Sequence, residues 1–265
     1  MTAKGRLRAI FFDIDDTLFS TTAFAESARG NAIDAMLAHG LRGEREELLR
    51  ELKEVIEEFS SNYEHHFDKL LVRLGSEASK GVNREILIAA GVVAYHETKF
   101  RELKVYDDVF EVLRDLSKTE VRLGVISAGL AVKQAEKLVR LKIYGFLDPR
   151  SIFISDQIGI NKPNPKLYLR ACEATGVKPA ESMYVGDNPR NDVEPCRAIG
   201  MTTVWHQRSG RFEIGPHDPQ PDYRIRNFHE LRDILVKDFG LELPEPASAA
   251  PARPARGRPR ARARS

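Results

Sequence analysis

The run from Leu7 to Phe12 is apolar at every position but Arg8, and it stops abruptly at Asp13-Ile14-Asp15-Asp16-Thr17. A short apolar run with such an end predicts a strand buried on both faces, the kind found at the centre of a parallel sheet. Three carboxylates crowded at its carboxyl end are costly unless a cation or a bound proton relieves their repulsion. In open α/β sheets that end is also where ligands bind. The first residues therefore predict a fold class and metal-assisted chemistry together.

After Thr17 the pattern changes. Residues 21–39 carry Phe24, Ala28, Ala32, Ala35 and Met36 at helical spacing and end at Gly40. Segments 44–59, 62–74 and 83–103 continue the periodicity, the last two separated by Gly75 and Gly81. Four amphipathic helices in series suggest a small bundle. From Lys104 onward strands (121–126, 151–154, 182–185, 202–205 and a weaker 223–225) alternate with helices (107–118, 130–141, 165–175, 193–199 and 229–239). Such alternation implies βαβ units and a parallel sheet. The expected architecture is α/β: a Rossmann-like parallel-sheet core over residues 1–18 and 104–243, flanked by helices, with an all-helical cap over 19–103 inserted after the first strand.

At 265 residues, 42% hydrophobic and 30% charged, the chain is long enough for a sizeable core and an added domain. Its net charge of +2 conceals an asymmetry: six arginines against Glu245 give residues 244–265 a charge of +5, leaving −3 on residues 1–243. The folded part thus offers no obvious cationic face for nucleic acid. The Pro/Ala/Arg tail cannot bury enough to offset its chain entropy and is expected to be disordered. Cys172 and Cys196, both in apolar-patterned segments, suit a reducing compartment and buried thiols. The N-terminus lacks the pattern of a signal peptide, and no apolar run approaches the roughly 20 residues that span a bilayer. A cytoplasmic protein without membrane contact is expected, with monomer and homodimer both open.

Four segments fall at the carboxyl ends of predicted strands: Asp13-Ile14-Asp15-Asp16-Thr17; Ser127 with Ala128-Gly129; Asn161-Lys162-Pro163-Asn164-Pro165; and Gly186-Asp187-Asn188-Pro189-Arg190-Asn191-Asp192. Singly each has an ordinary reading. Ser127 would serve as a helix N-cap. Lys162 would be a solvated loop lysine. Asp192 would be an N-cap that leaves Pro195 in the first helical turn, where proline is tolerated. Jointly, in this order and each at a strand end, they converge on one sheet edge.

The set resembles the haloacid dehalogenase-like superfamily, whose signature is D-x-D-x-T, then S/T, then K beside a K-P-x-P run, then G-D-x-x-x-x-D. The resemblance covers roughly residues 5–18 and 104–240, and the helical insertion looks like that family's C1-type cap. Phe11-Phe12-Asp13-Ile14-Asp15-Asp16-Thr17-Leu18, Ala28-Arg29-x-Asn31-Ala32-Ile33 and Ala94-Tyr95-His96-x-Thr98-Lys99-Phe100 further resemble the archaeal-type magnesium-dependent phosphatases often called glyceraldehyde 3-phosphate phosphatases. The Arg-rich tail departs from that pattern.

The resemblance implies a Mg²⁺-dependent phosphatase acting through an aspartyl-phosphate intermediate on a small phosphorylated metabolite, with glyceraldehyde 3-phosphate or a similar sugar or triose phosphate as the candidate. Asp13 is the expected nucleophile and a metal ligand, joined on the metal by Asp187 and by the backbone carbonyl of Asp15. Asp15 is the expected general acid and base, a role that contributes about 10²–10⁴-fold. Ser127, Ala128 and the amides opening the following helix would hold phosphoryl oxygens, and Lys162 would compensate charge. Asp192 and Asn188 would orient the metal site, Thr17 would support the turn, and Asp16 reads as a turn residue. The related dehalogenases do not keep a proton-shuttling Asp two residues after the nucleophile, so Asp15 favours phosphoryl transfer over carbon–halogen cleavage.

Substrate choice is expected from the cap, which carries His65, His66, Tyr95, His96, Lys99 and Arg101; His96, Lys99 and Arg101 lie nearest the return to the core. Each also fits a solvated helix face. Two alternatives stay open: a phosphomutase with the same acid/base pair, and a non-catalytic binding protein recruited to nucleic acid through the tail.

Overall fold

The computed structural model describes residues 6–244. Six parallel strands, β1 (Ala9–Phe12), β2 (Arg122–Ser127), β3 (Ile152–Ile154), β4 (Ser182–Gly186), β5 (Thr202–His206) and β6 (Tyr223–Ile225), form one sheet in the order β3-β2-β1-β4-β5-β6. The helices are α1 (Thr21–Ala38), α2 (Arg45–Phe59), α3 (His66–Leu74), α4 (Arg84–Glu102), α5 (Asp107–Leu116), α6 (Ala131–Arg140), α7 (Ser155–Ile158), α8 (Pro165–Thr175), α9 (Glu194–Ala198) and α10 (Phe228–Phe239). An α/β fold with a parallel sheet is therefore present, as the alternating pattern predicts. The tail expected to be disordered, residues 244–265, lies outside the described residues except for Pro244.

β1 lies at the centre, with Phe12 opposite Val125 of β2 and Val185 of β4. The strand order reverses there, and the crevice at the carboxyl ends of strands flanking such a reversal is where open α/β sheets bind ligands. Successive side chains of a strand point to opposite faces. Ile10 and Phe12 accordingly join the cluster made with α5 and α10, while Ala9 and Phe11 join the one made with α8 and α9. All four are fully buried, which explains why the run is apolar at consecutive positions. Burying Ile10, Phe11 and Phe12 contributes about 1.5–3 kcal/mol each, before conformational entropy is subtracted. Cys172 and Cys196 are buried free thiols in the second cluster.

Helices α1–α4, between β1 and β2 in the chain, have a cluster of their own: Ile33 and Met36, Leu48 and Leu52, Leu70 and Leu71, and Leu87. Gly91 lets α1 and α4 approach, since a Cβ there would lie 3.0 Å from Met36 Sδ and 3.4 Å from the Phe67 ring. Buried Thr98 ties the same pair together. Its hydroxyl donates to the Ala94 carbonyl at 2.8 Å and accepts from Asn31 Nδ2 at 2.9 Å, so no polar group is stranded in the contact. The predicted helix over 62–74 starts only at His66, and short α7 is an addition to the predicted elements. No helix among the described residues is long and apolar enough to cross a membrane.

Candidate active site

The four strand-end segments meet at the carboxyl edge around β1. The Asp13 amide continues the ladder by donating to the Val185 carbonyl at 2.9 Å, which fixes the direction in which its side chain leaves the sheet. Lys162 Nζ donates to Asp13 Oδ1 at 2.5 Å, to Asp192 Oδ1 at 2.8 Å and to the Tyr184 hydroxyl at 2.7 Å. The Tyr184 hydroxyl in turn donates to the Ile126 carbonyl at 2.7 Å. Lys162 is thus a buried cation with its three donors occupied. Pro165 opens α8, with Asn164 as its N-cap, so a rigid helix start follows directly on the loop that delivers the lysine.

One carboxylate oxygen each from Asp13, Asp187 and Asp192 falls within 4.8 Å of the others, and all three residues are buried. Asp187 is fixed through its main chain, where its carbonyl accepts from Trp205 Nε1 at 2.8 Å. Three carboxylates face one ammonium, leaving two negative charges without a counter-charge in a buried space. Burial pushes the Asp13 carboxyl up to about 7; Lys162 opposes this while Asp192 and Asp15 add to it. Burial, Asp13, Asp192 and Asp16 together push Asp187 up to about 8. A dense set of hard oxygen donors with unmet negative charge fits Mg²⁺. The hydroxyls of Ser127 and Thr17, buried at the same edge, have no hydrogen-bond partner among the described residues and suit an oxyanion.

The segment ending in Asp192 folds differently from its local reading. A wide turn over Pro189–Val193 precedes α9, and its cap is Asn188, whose side chain accepts from the amides of Arg190 at 3.1 Å and Asn191 at 3.2 Å. Asp192 is therefore no N-cap: it faces Lys162, and its other oxygen accepts the Asn188 amide at 3.0 Å. Only the main chain of Asn188 reaches the cluster. Gly186 permits this packing, because a Cβ there would sit 2.3 Å from Asp192 Oδ2. Pro195 offers no N–H to the Asn191 carbonyl four residues earlier, and the Tyr168 hydroxyl donates to that carbonyl instead.

The phosphate-facing turn also differs. α6 begins at Ala131, not at Ser127, so Ser127 and Ala128 precede the helix on a turn through Gly129 at φ 133°. The Gly129 amide donates to Ser155 Oγ at 3.0 Å and the Ala131 amide to Asp156 Oδ2 at 3.0 Å. These helix-opening donors are thus already used, and the Ala128 carbonyl accepts from Gln134 Nε2 at 2.8 Å.

Asp15 is held by residues that sequence reasoning missed. Lys137 Nζ donates to its two oxygens at 2.6 and 2.7 Å, Thr21 Oγ1 at 2.6 Å and Gln134 Nε2 at 3.2 Å. Burial alone would raise this carboxyl; Lys137, Thr21 and Gln134 more than offset it and hold Asp15 below the ordinary carboxylate range. The available signal was the spacing of Gln134 and Lys137, three apart on the helix that leaves the Ser127 strand end. Asp16, at φ 55°, anchors the start of α1 through the Thr22 amide at 3.1 Å and accepts Arg211 at 2.6 Å.

Between α1–α4 and this edge lies a cavity of about 650 Å³, lined among others by Asp15, His96, Lys99, Gln134 and Lys137. His66 and Tyr95 also line it, whereas His65 is paired with Asp68 outside it. Lys99 is committed to Glu136 of α6 at 2.5 Å. Arg101, expected among the substrate contacts, is exposed on α4 and does not line the cavity: the rotation of the helix turns it away.

A six-stranded parallel sheet with an acidic cluster at its switch point, answered by a buried lysine, is the arrangement of a hydrolase of the haloacid dehalogenase-like kind. Residues 10–206 match the family described as haloacid dehalogenase-like hydrolase, and the chain belongs to it. Among its relatives is a glyceraldehyde 3-phosphate phosphatase of Methanopyrus kandleri, 44% identical over 239 residues that cover 88% of this chain and 100% of the relative. The enzyme of the same name from Pyrococcus furiosus is 38% identical over 89% of this chain and 96% of its own. A solved phosphatase of the family from Thermococcus onnurineus superposes with a TM-score of 0.60 at 27% identity, covering 86% of this chain and 98% of that one.

Proposed function

We propose that the chain is a Mg²⁺-dependent phosphatase that hydrolyses small phosphorylated metabolites through an aspartyl-phosphate intermediate on Asp13. The observation that carries the reading is the convergence of Asp13, Asp187 and Asp192 within 4.8 Å, with Lys162 as the one ammonium bonded to the cluster among the described residues. The relatives named glyceraldehyde 3-phosphate phosphatase support a small phosphorylated metabolite as the substrate. Asp13 and Asp187, with the main-chain carbonyl of Asp15, would hold Mg²⁺. Bound there, the ion supplies positive charge that offsets the repulsion between carboxylate and phosphate.

An Asp13 oxygen attacks phosphorus, the phosphorus–oxygen ester bond breaks, and the leaving alkoxide takes a proton from Asp15. Water then attacks the acyl phosphate with Asp15 accepting its proton, which returns Asp13 and releases phosphate. Ser127 and Thr17 donate to the phosphoryl oxygens, and Asp192 keeps Lys162 directed at the reacting centre. For the first proton transfer Asp15 must be protonated, although Lys137 favours its ionised form. An arriving phosphate dianion competes for Lys137 and raises the proton affinity of Asp15, so substrate binding itself prepares the acid.

The test is phosphate release from an aryl phosphate and a hexose phosphate with and without Mg²⁺. Mg²⁺-dependent release is expected, Asp13→Asn lowering turnover by several orders of magnitude. Asp15→Asn should slow alkyl esters by about 10²–10⁴-fold while still binding substrate and metal. No release by the parent, an isomeric hexose phosphate as the product, or an Asp13→Asn protein as active as the parent would overturn the reading.

A further inference from the structure

The wall of the cavity contains several cations, and nearly all are already matched. Lys137 is held by Asp15, Lys99 by Glu136 at 2.5 Å, and Lys133 by the Asn62 carbonyl at 3.1 Å and Glu64 at 3.6 Å. Arg29 is the exception. It stands half-buried on α1 where that helix lines the cavity, and it makes no hydrogen bond or ion pair with any described residue. A guanidinium removed from bulk water without an acceptor loses hydration and gains nothing, an arrangement that makes sense when the acceptor arrives from outside.

The neighbours of Arg29 complete a receptor for an anion. His66 is held below its ordinary value, first by burial and then by Arg29 and Lys133, against the pull of the Ser60 carbonyl. It is thus a neutral imidazole whose Nε2 lies 2.8 Å from that carbonyl. Burial raises Tyr95, with Arg29 opposing, so its hydroxyl stays protonated and able to donate. The Tyr95 ring is set edge-on to Phe24 at 6.0 Å, which fixes its orientation. This side of the cavity therefore offers one fixed cation and a phenol donor. Asp15, the proposed proton carrier, also lines the cavity, and Thr21, which donates to it, stands eight residues before Arg29 on α1, about 12 Å along the helix axis. At about 650 Å³ the cavity lies within the roughly 300–1,000 Å³ of sites for drug-sized ligands, so it has room for more than a phosphoryl group.

We propose that Arg29, assisted by Tyr95, forms a second anion subsite that receives a carboxylate at the end of the substrate remote from the scissile phosphate. Phosphate monoesters of hydroxy acids are then turned over in preference to the corresponding aldehydes and neutral sugars, which are hydrolysed without this contact. This deepens the phosphatase reading and rests on it. The planar fork of arginine matches a carboxylate with two parallel hydrogen bonds, which a lysine cannot reproduce.

Two matched pairs test it, each differing at one end of the molecule: 3-phosphoglycerate against glyceraldehyde 3-phosphate, and 6-phosphogluconate against glucose 6-phosphate. A charge-assisted contact of this kind corresponds to about a tenfold to hundredfold preference in kcat/KM for the acid in at least one pair. Arg29→Ala should bring that ratio close to one, and Arg29→Lys should retain part of it. A parent with no preference in either pair, or an Arg29→Ala protein that loses acid and neutral substrate in equal proportion, would overturn the subsite, the second outcome marking a packing role. Calorimetric Kd values for the same pairs on Asp13→Asn separate the two ideas. An acid preference in Kd without turnover by the parent leaves the subsite standing and removes the phosphatase. Turnover without preference does the reverse.

Discussion

Lys137 on α6 sets its ammonium 2.6 and 2.7 Å from the two carboxylate oxygens of Asp15, so the proposed proton carrier rests as an ion pair. Thr21, the first residue of α1, donates to the same carboxylate. Asp15 is consequently a junction between the sheet edge, α6 and the helices above, and its protonation is linked to what occupies the cavity.

Lys137→Met removes the charge that outweighs burial at Asp15, and the carboxyl should move up. The acid step needs protonated Asp15, so the alkaline limb of the kcat/KM profile for an alkyl phosphate should shift to higher pH. Thr21 and Gln134 still hold the side chain. A limb that stays in place would contradict the role given to Asp15.

Asp13 and Asp187 titrate at about 7 and about 8 in place of the ordinary 3.8. Carboxyls raised on folding contribute stability that is complete below their unfolded value and is lost as pH climbs through the folded ones. Each pH unit across that window withdraws on the order of 1.4 kcal/mol per carboxylate. The melting temperature without metal should fall from about pH 5 to about pH 9, and the rise produced by Mg²⁺ should be larger above pH 8 than below pH 6. Differential scanning calorimetry reads both. An equal Mg²⁺ effect at the two ends would exclude these carboxylates as the binding groups.

His206 ends β5 fully buried, with neither ring nitrogen hydrogen-bonded among the described residues and its ring edge-on to Phe228 at 5.5 Å. Burial, followed by Arg208, lowers it from 6.5 to about 4. Between those values the unfolded chain binds the proton more readily, so stability is complete above 6.5 and is lost as pH falls toward 4. The loss is on the order of 3 kcal/mol. His206→Phe should flatten the acid side of the stability curve in urea titrations; an unchanged slope would assign the acid sensitivity elsewhere.

Gly186→Ala places a methyl group where Asp192 Oδ2 now lies, 2.3 Å from the Cβ position. Asp192 must swing away and Lys162 loses one of its partners. Mg²⁺ affinity and turnover should fall by about 10–100-fold, the range seen when groups supporting a metal site are removed. The far-ultraviolet circular dichroism should stay near that of the parent. Full activity would show that Asp192 does not need its present position.

Much of the fold was legible because its signals are local. A strand buried on both faces must be apolar at consecutive positions, as at Ala9–Phe12, and a parallel sheet must gather strand ends at one edge. Those two constraints brought Asp13, Ser127, Lys162 and Asp187 to a single edge. Asp192 shows where local reading stops. Its N-cap pattern was sound as a pattern, but Asn188 four residues earlier supplies the cap, and the lysine from a distant loop supplies a stronger partner. Arg101 and Lys99, two apart on α4, met different fates for a similar reason: one points to solvent, the other to Glu136 across the cavity.

By itself the sequence determined the class of fold and the central strand, and it placed Asp13 and Asp187 at strand ends on one edge, because burial periodicity and strand-end placement are properties of short stretches of chain. Only the tertiary structure decided that Lys137 neutralises Asp15, that Asp192 orients Lys162 and that Arg29 stands unmatched in the cavity. Those relations depend on how far each helix is rotated about its axis and on contacts between residues far apart in the chain, 122 positions for Lys137 and Asp15 and 30 for Asp192 and Lys162, and no local pattern encodes either.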